Sequence, residues 1–209
     1  AIKCWHSLIQ TMIDLPAPII VSIRSLAYGG AYELALAGDI MIAEEGAKNG
    51  LPETTLGVMP GGGGTQTLPR RVGLPLATRM ILRGEIVKAE TPWVDEIVEN
   101  PTKRVLELLA TPEKLQKRKR DPMVYSFSDK AMAAAEILKA RLYWLFKRRE
   151  RIPESFKLAK KTIYEGNQKG MFPGLDIEFN NIVATFETSQ AQERIRRFLE
   201  GEKLIRIPE

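Results

Sequence analysis

The segment PIIVSIRSLAYGGAYELALAGDIMIA, Pro18 to Ala43, decides the fold of this 209-residue chain. Two short apolar runs, Pro18 to Ile23 and Asp39 to Ala43, are typical of buried strands, because turn residues bound each of them. Between them, the alanine- and leucine-rich run from Ala31 to Gly38 predicts a helix. The order strand, helix, strand indicates an α/β fold in which the helix connects two parallel strands.

Composition narrows the class of protein around that segment. Hydrophobic residues make up 44% of the chain, enough for a substantial core. The single cysteine, Cys4, excludes an internal disulfide framework, and no apolar run approaches the ~18 residues that a membrane span needs. We therefore expect no membrane segment and a reducing compartment, the cytoplasm first, with the mitochondrial matrix or another organelle left open. Because the chain has no initiator Met and no secretion signal, we expect it to start inside a larger fold.

The net charge of +5 would suit an anionic partner, either a nucleic acid or a phosphorylated small molecule. Two basic runs, Lys114 to Arg120 and Lys147 to Arg151, hold much of this charge. Neither run interleaves aromatic residues or glycines as nucleic-acid modules usually do. They predict solvated helical faces rather than a nucleic-acid site, although a few phosphate contacts remain open.

The rest of the chain divides into a loop-rich part and a helical part. A long glycine-rich loop is predicted from Gly57 to Gly73, followed by a short helix that Pro75 opens and Gly84 closes. From Asn100 onward the pattern is helical. The first two predicted helices run from a Ser128 cap through Leu145 and from Pro153 to Gly166. A third carries an apolar stripe of Phe179, Ile182, Val183 and Phe186. The last runs from Ser189 to Gly201, with a Ser189–Gln192 capping box and with Ile195, Phe198 and Leu199 facing inward.

The paired glycines Gly29 and Gly30 point to chemistry at the start of the first predicted helix. Glycines allow close approach, and the first N–H groups of a helix have no partner within it. An oxyanion that develops beside Gly30 would be stabilised by those N–H groups and by the helix dipole. Glu33 follows within about one turn, near the same pocket. Taken alone, Glu33 has a plainer reading, since an acidic residue in a first turn commonly only complements the dipole.

A second acidic residue, Glu53, precedes four consecutive glycines, Gly61 to Gly64. Such a run costs backbone entropy, so it needs a reason, and close backbone approach to a ligand is one. A helix-opening anion cradle is another. The run lacks the ending of a P-loop and the spacing of a dinucleotide fingerprint, which argues against nucleotide hydrolysis.

The two stretches PAPIIVSIRSLAYGGAYELALAGDIMIA and LPETTLGVMPGGGGTQTLPRRVG together resemble the enoyl-CoA hydratase/isomerase family, the crotonases. The resemblance covers most of Pro16 to Gly84, weakens at Trp93 to Val98 and returns from about Ile152 to Lys203. It implies an α/β crotonase-like fold, a spiral core of strand–strand–helix turns with a C-terminal helical region. Residues 1–99 would be the core, with its N-terminal part outside this chain, and residues 100–209 the helical region with a basic insertion. Members usually form homotrimers or homohexamers.

The resemblance also implies the residues of the site. Glu33 and Glu53 would be the catalytic pair, and the Gly30 N–H one of two oxyanion-hole donors. Substrate and water would contact Ala27, Gly29, Leu51, Pro60 and Gly61, with Gly61 near the attacking water. The ligand would be an acyl-CoA thioester, with no metal and no cofactor beyond the coenzyme A of the substrate. The single histidine, His6, is predicted to be a surface or packing residue.

Two glutamates favour an enoyl-CoA hydratase, because hydration needs both a base for water and an acid for the α-carbon. An enoyl-CoA isomerase and an acyl-CoA hydrolase are alternatives on the same oxyanion hole. A non-catalytic crotonase-fold protein that binds RNA or a protein partner is an alternative of another class. The chain departs from the family pattern at three residues: Ser25 and Ala31 stand in place of glycines, and Thr67 stands in place of an arginine. The stretch from Lys88 to Val98 is also short, and the one from Thr102 to Arg151 is long and basic. These departures leave the choice of substrate open.

Overall fold

The computed structural model describes residues 2–89, 93–111, 113, 115, 127–143 and 153–205. Its strands are β1 (Ile20–Ile23), β2 (Leu26–Tyr28), β3 (Ile40–Glu44), β4 (Lys48–Gly50), β5 (Ile86–Lys88) and β6 (Glu96–Val98). Its helices are α1 (Ile2–Asp14), α2 (Gly30–Ala37), the 3-10 helix η1 (Pro52–Leu56), α3 (Gly64–Val72), α4 (Leu74–Arg83), α5 (Pro101–Leu109), α6 (Phe127–Leu142), α7 (Glu154–Gln168), α8 (Met171–Phe186) and α9 (Ser189–Leu199). Among these helices, none combines the length and the apolarity that crossing a membrane requires.

Within the described ranges the strands form two three-stranded sheets, ordered β1-β3-β6 and β2-β4-β5. Strands β1 and β3 are parallel, with Ile20 opposite Ile40 and Ile23 opposite Ala43. The predicted parallel pair with a crossover helix is therefore confirmed. The sequence pattern did not separate β2 from that crossover, and β2 instead pairs in parallel with β4 in the second sheet. The repeating unit is thus two strands and a helix, the turn of a crotonase-like spiral.

Helix α2 lies in the core because its side chains are small or apolar. Tyr32, Leu36 and Ala37 are buried against the sheets and neighbouring helices. Gly38 ends the helix against β1, where an added methyl would lie 2.3 Å from Val21 Cγ2. This close packing holds the opposite end of α2, the Gly29–Gly30 turn, at a defined place in the site.

Two predictions on the glycine-rich part have different outcomes. The short helix after Pro75 is confirmed as α4, and Gly84 ends it with a φ of 61°. The single long loop from Gly57 to Gly73 is wrong, because helix α3 occupies Gly64–Val72 even though it contains Pro69. The four-glycine run is the entry to this helix.

The first two predicted C-terminal helices are present. Helix α6 already includes Phe127, one residue before the predicted Ser128 cap, and runs through Leu142, whereas the predicted end at Leu145 lies outside the described residues. Helix α7 has Pro153 at its N-cap position as expected but continues two residues past Gly166, to Gln168. The basic run from Lys147 to Arg151 and most of that from Lys114 to Arg120 lie outside the described residues.

The predicted apolar stripe of α8 is only partly buried. Ile182 is buried, whereas Val183 and Phe186 are 39% and 44% exposed. The buried face carries small and polar residues instead, Gly174, Glu178, Asn181 and Thr185 among them. The reason is tertiary: the Gln66 side chain of α3 fills the space beside Gly174, where an added methyl would lie 2.1 Å from Gln66 Oε1.

Helix α9 is likewise rotated relative to the prediction. Its cap is Thr188, whose hydroxyl accepts a hydrogen bond from the Ala191 N–H at 3.1 Å, so the predicted Ser189 capping box is wrong. The buried residues are Ala191 and Arg194, while Phe198 and Leu199, predicted inward, are exposed. Arg194 Nη1 donates to the Thr55 carbonyl at 2.9 Å, which turns the polar face toward η1.

Candidate active site

The start of α2 is an open helix end. Gly29 takes the left-handed φ of 55° at the N-cap position, and no side chain of this residue caps the helix. The first bond of the helix runs from the Glu33 N–H to the Gly29 carbonyl at 2.9 Å. The N–H groups of Gly30 to Tyr32 therefore precede the intrahelical ladder, and they present a partial positive charge.

Glu33 is buried in the first turn of α2, yet it is well bonded. Its Oε1 accepts hydrogen bonds from the Gly62 and Gly64 N–H groups, each at 2.8 Å. Burial raises the pKa of Glu33 well above its ordinary value, and the charges of Glu53 and Glu178 raise it further. The two backbone N–H groups oppose this rise in the pKa but do not cancel it.

Glu53 occupies a less satisfied position in η1. An added methyl on Gly29 would lie 3.0 Å from Glu53 Oε1, so this carboxyl lies directly beside the turn that opens α2. Its Oε2 is buried, and no hydrogen-bond partner for it occurs among the described residues. Burial raises the pKa of Glu53 to about 8, its own backbone N–H lowers it, and Glu178 adds to the rise. Glu53 is thus poised to hold a proton near neutral pH.

A third buried carboxylate, Glu178 of α8, was missed by the sequence analysis. Its Oε1 accepts from the Gly63 N–H at 2.6 Å and lies 3.1 Å from His6 Nε2. Its Oε2 accepts from the Thr65 N–H at 3.0 Å and from the Thr65 hydroxyl. His6, predicted to be a surface or packing residue, is half-buried, and its Nε2 contacts this carboxylate of the candidate site. The only sequence signal was a weak one, the polar spacing of Glu178, Asn181 and Thr185 along a single helix face.

The four-glycine run is therefore an anion cradle whose anions belong to the protein. Four successive N–H groups, from Gly62 to Thr65, bond to the carboxylates of Glu33 and Glu178. An added methyl on Gly64 would lie 2.8 Å from both Glu33 Oε1 and Leu51 Cδ1, which explains why this position has no side chain.

The other predicted site residues divide into two groups. Leu51 is buried beside Glu33 and Gly64, and Pro60 is buried just before the glycines. Gly61 faces α8, where an added methyl would lie 2.0 Å from Ile182 Cδ1. Ala27, on β2, lines a cavity of about 600 Å³ beside α2. Glu33, Glu53, Gly29, Gly30 and Leu51 thus come together around α2, whereas the contacts of Gly61 and Ala27 point to neighbouring spaces.

Metal ligands do not cluster in the described ranges. No group of three or more His, Cys, Asp or Glu side chains there has a geometry that could hold a metal ion.

Comparisons with known proteins give the class and then the family. The chain matches a crystal structure of an enoyl-CoA hydratase from Mycobacterium avium subsp. paratuberculosis K-10 with a TM-score of 0.63 at 19% identity, over 96% of this chain and 71% of that one. At this identity the match shows the fold, which is the crotonase fold. The sequence model of the enoyl-CoA hydratase/isomerase family matches residues 3–98. The chain belongs to the enoyl-CoA hydratase/isomerase family.

Two relatives show how much of the chain is similar to known sequences. The Bacillus subtilis (strain 168) protein named "Probable enoyl-CoA hydratase" is 32% identical over 198 residues, which cover 95% of this chain and 66% of that protein. The Mus musculus protein "Methylglutaconyl-CoA hydratase, mitochondrial" is 47% identical over 85 residues, which cover 41% of this chain and 27% of that protein. The chain thus spans about a quarter of the length of the mouse relative.

Proposed function

We propose that this chain carries the catalytic pair of an enoyl-CoA hydratase, which adds water across the 2,3 double bond of a 2-enoyl-CoA thioester. The observation that carries this proposal is the pair of buried carboxyls, Glu33 and Glu53, beside the open start of α2. Their pKa values are both raised, mainly by burial. The Glu53 carboxyl lies beside Gly29, and the Glu33 carboxyl bonds to the glycine loop that enters α3. Family membership and the hydratase names of the relatives support the same reaction.

In the proposed reaction the Gly30 N–H donates to the thioester oxygen, which gains negative charge as the double bond is attacked. The water oxygen bonds to C3, one carboxylate takes the proton that water loses, and the other carboxylic acid gives its proton to C2. A coupled pair with raised pKa values suits this exchange, because one member can be protonated while the other is ionised near neutral pH. Ala27, Gly29, Leu51, Pro60 and Gly61 are the proposed surroundings of substrate and water, and the coenzyme A of the substrate is the only cofactor required.

The first test is to incubate the protein with crotonyl-CoA and to follow the absorbance of the conjugated thioester and the product mass. A product heavier by one water supports hydration. Release of free coenzyme A would indicate a hydrolase instead. Conversion of a 3-enoyl-CoA to a product of the same mass would indicate an isomerase. Absence of any acyl-CoA turnover, together with salt-sensitive binding of RNA, would favour the non-catalytic alternative.

Removing either carboxyl sharpens this test. We expect Glu53→Gln and Glu33→Gln each to lower kcat by ~10²–10⁴-fold, the usual contribution of a positioned acid or base. Binding of the unreactive butyryl-CoA should remain, because neither change removes the open start of α2. Glu45→Gln, at an exposed glutamate outside the site, is the matched control. Wild-type turnover in both site variants would contradict the two-carboxyl mechanism.

We also propose that the chain assembles with copies of itself as a homotrimer or homohexamer. Five large apolar side chains of α8 and α9 are exposed in the single chain, and these are Phe172, Val183, Phe186, Phe198 and Leu199. Exposed apolar groups on neighbouring helices are typical of an interface. Mass photometry of the purified protein should report three or six copies, and a monomer at micromolar concentration would contradict assembly.

A further inference from the structure

Trp5 of α1 lies against the two glycine-rich helix starts of the candidate site. An added methyl on Gly30 would lie 3.2 Å from Trp5 Cζ2, and one on Gly62 would lie 2.0 Å from Trp5 Nε1. The indole therefore extends from the start of α2 to the loop that enters α3. The absence of side chains at both glycines makes room for it.

The indole N–H has no acceptor among the described residues. Trp5 Nε1 is buried, and no hydrogen-bond partner for it occurs in the described part of the chain. Leaving a buried donor unpaired is unfavourable, so an acceptor that arrives with a ligand would be bound there. An unsatisfied donor at the mouth of a catalytic pocket is a candidate for substrate or water contact.

The orientation of the ring tells which acceptor it meets. The carbon edge, Cζ2 and Cη2, faces Gly30, where the thioester oxygen is proposed to bind. The nitrogen faces Gly62, and the same added methyl on Gly62 would lie 2.7 Å from Glu33 Oε2. The N–H thus faces the carboxyl side of the site, where water is proposed to react, rather than the oxyanion side.

We propose that the Trp5 Nε1–H donates a hydrogen bond to the oxygen of the reacting water and, after addition, to the 3-hydroxyl of the product. This inference rests on the hydratase function proposed above. The water then accepts from Trp5 with one lone pair, donates its protons toward Glu33 and Glu53, and keeps its second lone pair for C3. Trp5 aims the water, and the proton transfers remain with the two carboxyls.

The kinetic test compares Trp5→Phe with Trp93→Phe in the full chain. Phenylalanine keeps an aromatic ring at position 5 and removes only the N–H and part of the bicycle. Trp93 is the matched control, because its Nε1 is also buried without a partner among the described residues, but it lies between β5 and β6. We expect Trp5→Phe to lower kcat about 10-fold, the kinetic equivalent of one hydrogen bond, with KM for crotonyl-CoA within about twofold. Trp93→Phe should match the wild type.

A binding test needs no turnover. In protein labelled with ¹⁵N-tryptophan, we expect the Trp5 indole signal to move downfield with 3-hydroxybutyryl-CoA and to stay in place with butyryl-CoA. Its assignment follows from its loss in Trp5→Phe or, if that variant does not fold, by elimination with Trp93→Phe and Trp144→Phe. Equal movement with both ligands would mean contact with the acyl chain and would overturn the inference.

The two proposals fail in different ways. If the wild type hydrates crotonyl-CoA and Trp5→Phe retains its kcat, the role of Trp5 is wrong and the hydratase function stands. If the wild type neither hydrates crotonyl-CoA nor binds the 3-hydroxy product, the proposed function is wrong and the inference that rests on it is wrong too.

Discussion

Helices α2 and α3 both begin at glycines in the same site, but only the start of α3 holds carboxylates of the protein itself. At α3, Glu33 and Glu178 bond to four successive N–H groups. At α2, the N-cap residue Gly29 offers no side-chain cap, and the neighbouring Glu53 has a buried oxygen without a partner in the described ranges. The two glycine motifs look alike in the sequence, but their surroundings differ: protein carboxylates bond to the N–H groups at the start of α3, and no side chain of Gly29 caps the start of α2.

This difference between the two helix starts shows which one stabilises the fold and which one contains polar groups without partners. Carboxylates at a helix N-terminus stabilise the helix through its dipole and through hydrogen bonds. A buried carboxyl without partners instead resists ionisation. The hydrogen bonds at the start of α3 therefore hold Glu33 and Glu178 in place, and the start of α2 with Glu53 is the part left available to a ligand.

The largest effect is expected at Glu53, in the pH dependence of stability. Its pKa is about 8 in the folded chain against 4.5 as a free side chain, so the folded state holds the proton more tightly than the unfolded state. Its contribution to stability is full below pH 4.5 and is lost as pH rises toward 8. The glutamine in Glu53→Gln cannot ionise. We therefore expect the free energy of unfolding of this variant, measured by urea denaturation at pH 8.5, to be higher than that of the wild type by up to ~4 kcal/mol. The two proteins should be equally stable near pH 4.5. Equal stability at both pH 4.5 and pH 8.5 would contradict the conclusion that the Glu53 carboxyl lacks partners.

A loss of stability is expected when the filled helix start is broken. Glu178→Gln replaces an acceptor oxygen by an NH₂ group that faces the N–H of Gly63 or Thr65, so one buried donor loses its partner. We expect the free energy of unfolding to fall by ~3 kcal/mol, the upper range for such a loss. Asp176→Asn, an exposed position on the same helix, should stay within ~0.5 kcal/mol. A wild-type urea midpoint in Glu178→Gln would show that the α3 start does not depend on this carboxylate.

The smallest effects come from adding one methyl at each helix start. In Gly64→Ala the methyl would lie 2.8 Å from Glu33 Oε1 and Leu51 Cδ1, so we expect a loss of ~2 kcal/mol from overpacking. In Gly30→Ala the nearest contact of the added methyl is the Trp5 ring, at 3.2 Å. Because alanine has a higher helix propensity than glycine, we expect the free energy of unfolding to stay within ~1 kcal/mol of the wild type. Thermal unfolding of the two variants checks the contrast. A larger loss at Gly30 than at Gly64 would reverse the assignment of the two starts.

Much of the fold was predictable from local pattern. The apolar runs on either side of α2 predicted the parallel pair β1 and β3, and Pro75 and Gly84 predicted α4. These features depend on short-range chemistry, since strand runs, turns and caps are encoded within a few residues. The C-terminal helices were found for the same reason, but the inward face of α9 was not, because Arg194 on its buried face bonds to the Thr55 carbonyl, 139 residues away.

By itself, the sequence determined the existence and order of the elements around Gly29 and Gly30, and it singled out Glu33 and Glu53 as the pair beside them. Only the tertiary structure decided what each glycine motif binds. Glu178 reaches Gly63 and Thr65 from more than 110 residues away, and Trp5 reaches Gly62 from the first helix. A free N–H group and a satisfied one are identical along the chain. Which of them remains free depends on side chains that folding brings from distant segments, and no local pattern carries that information.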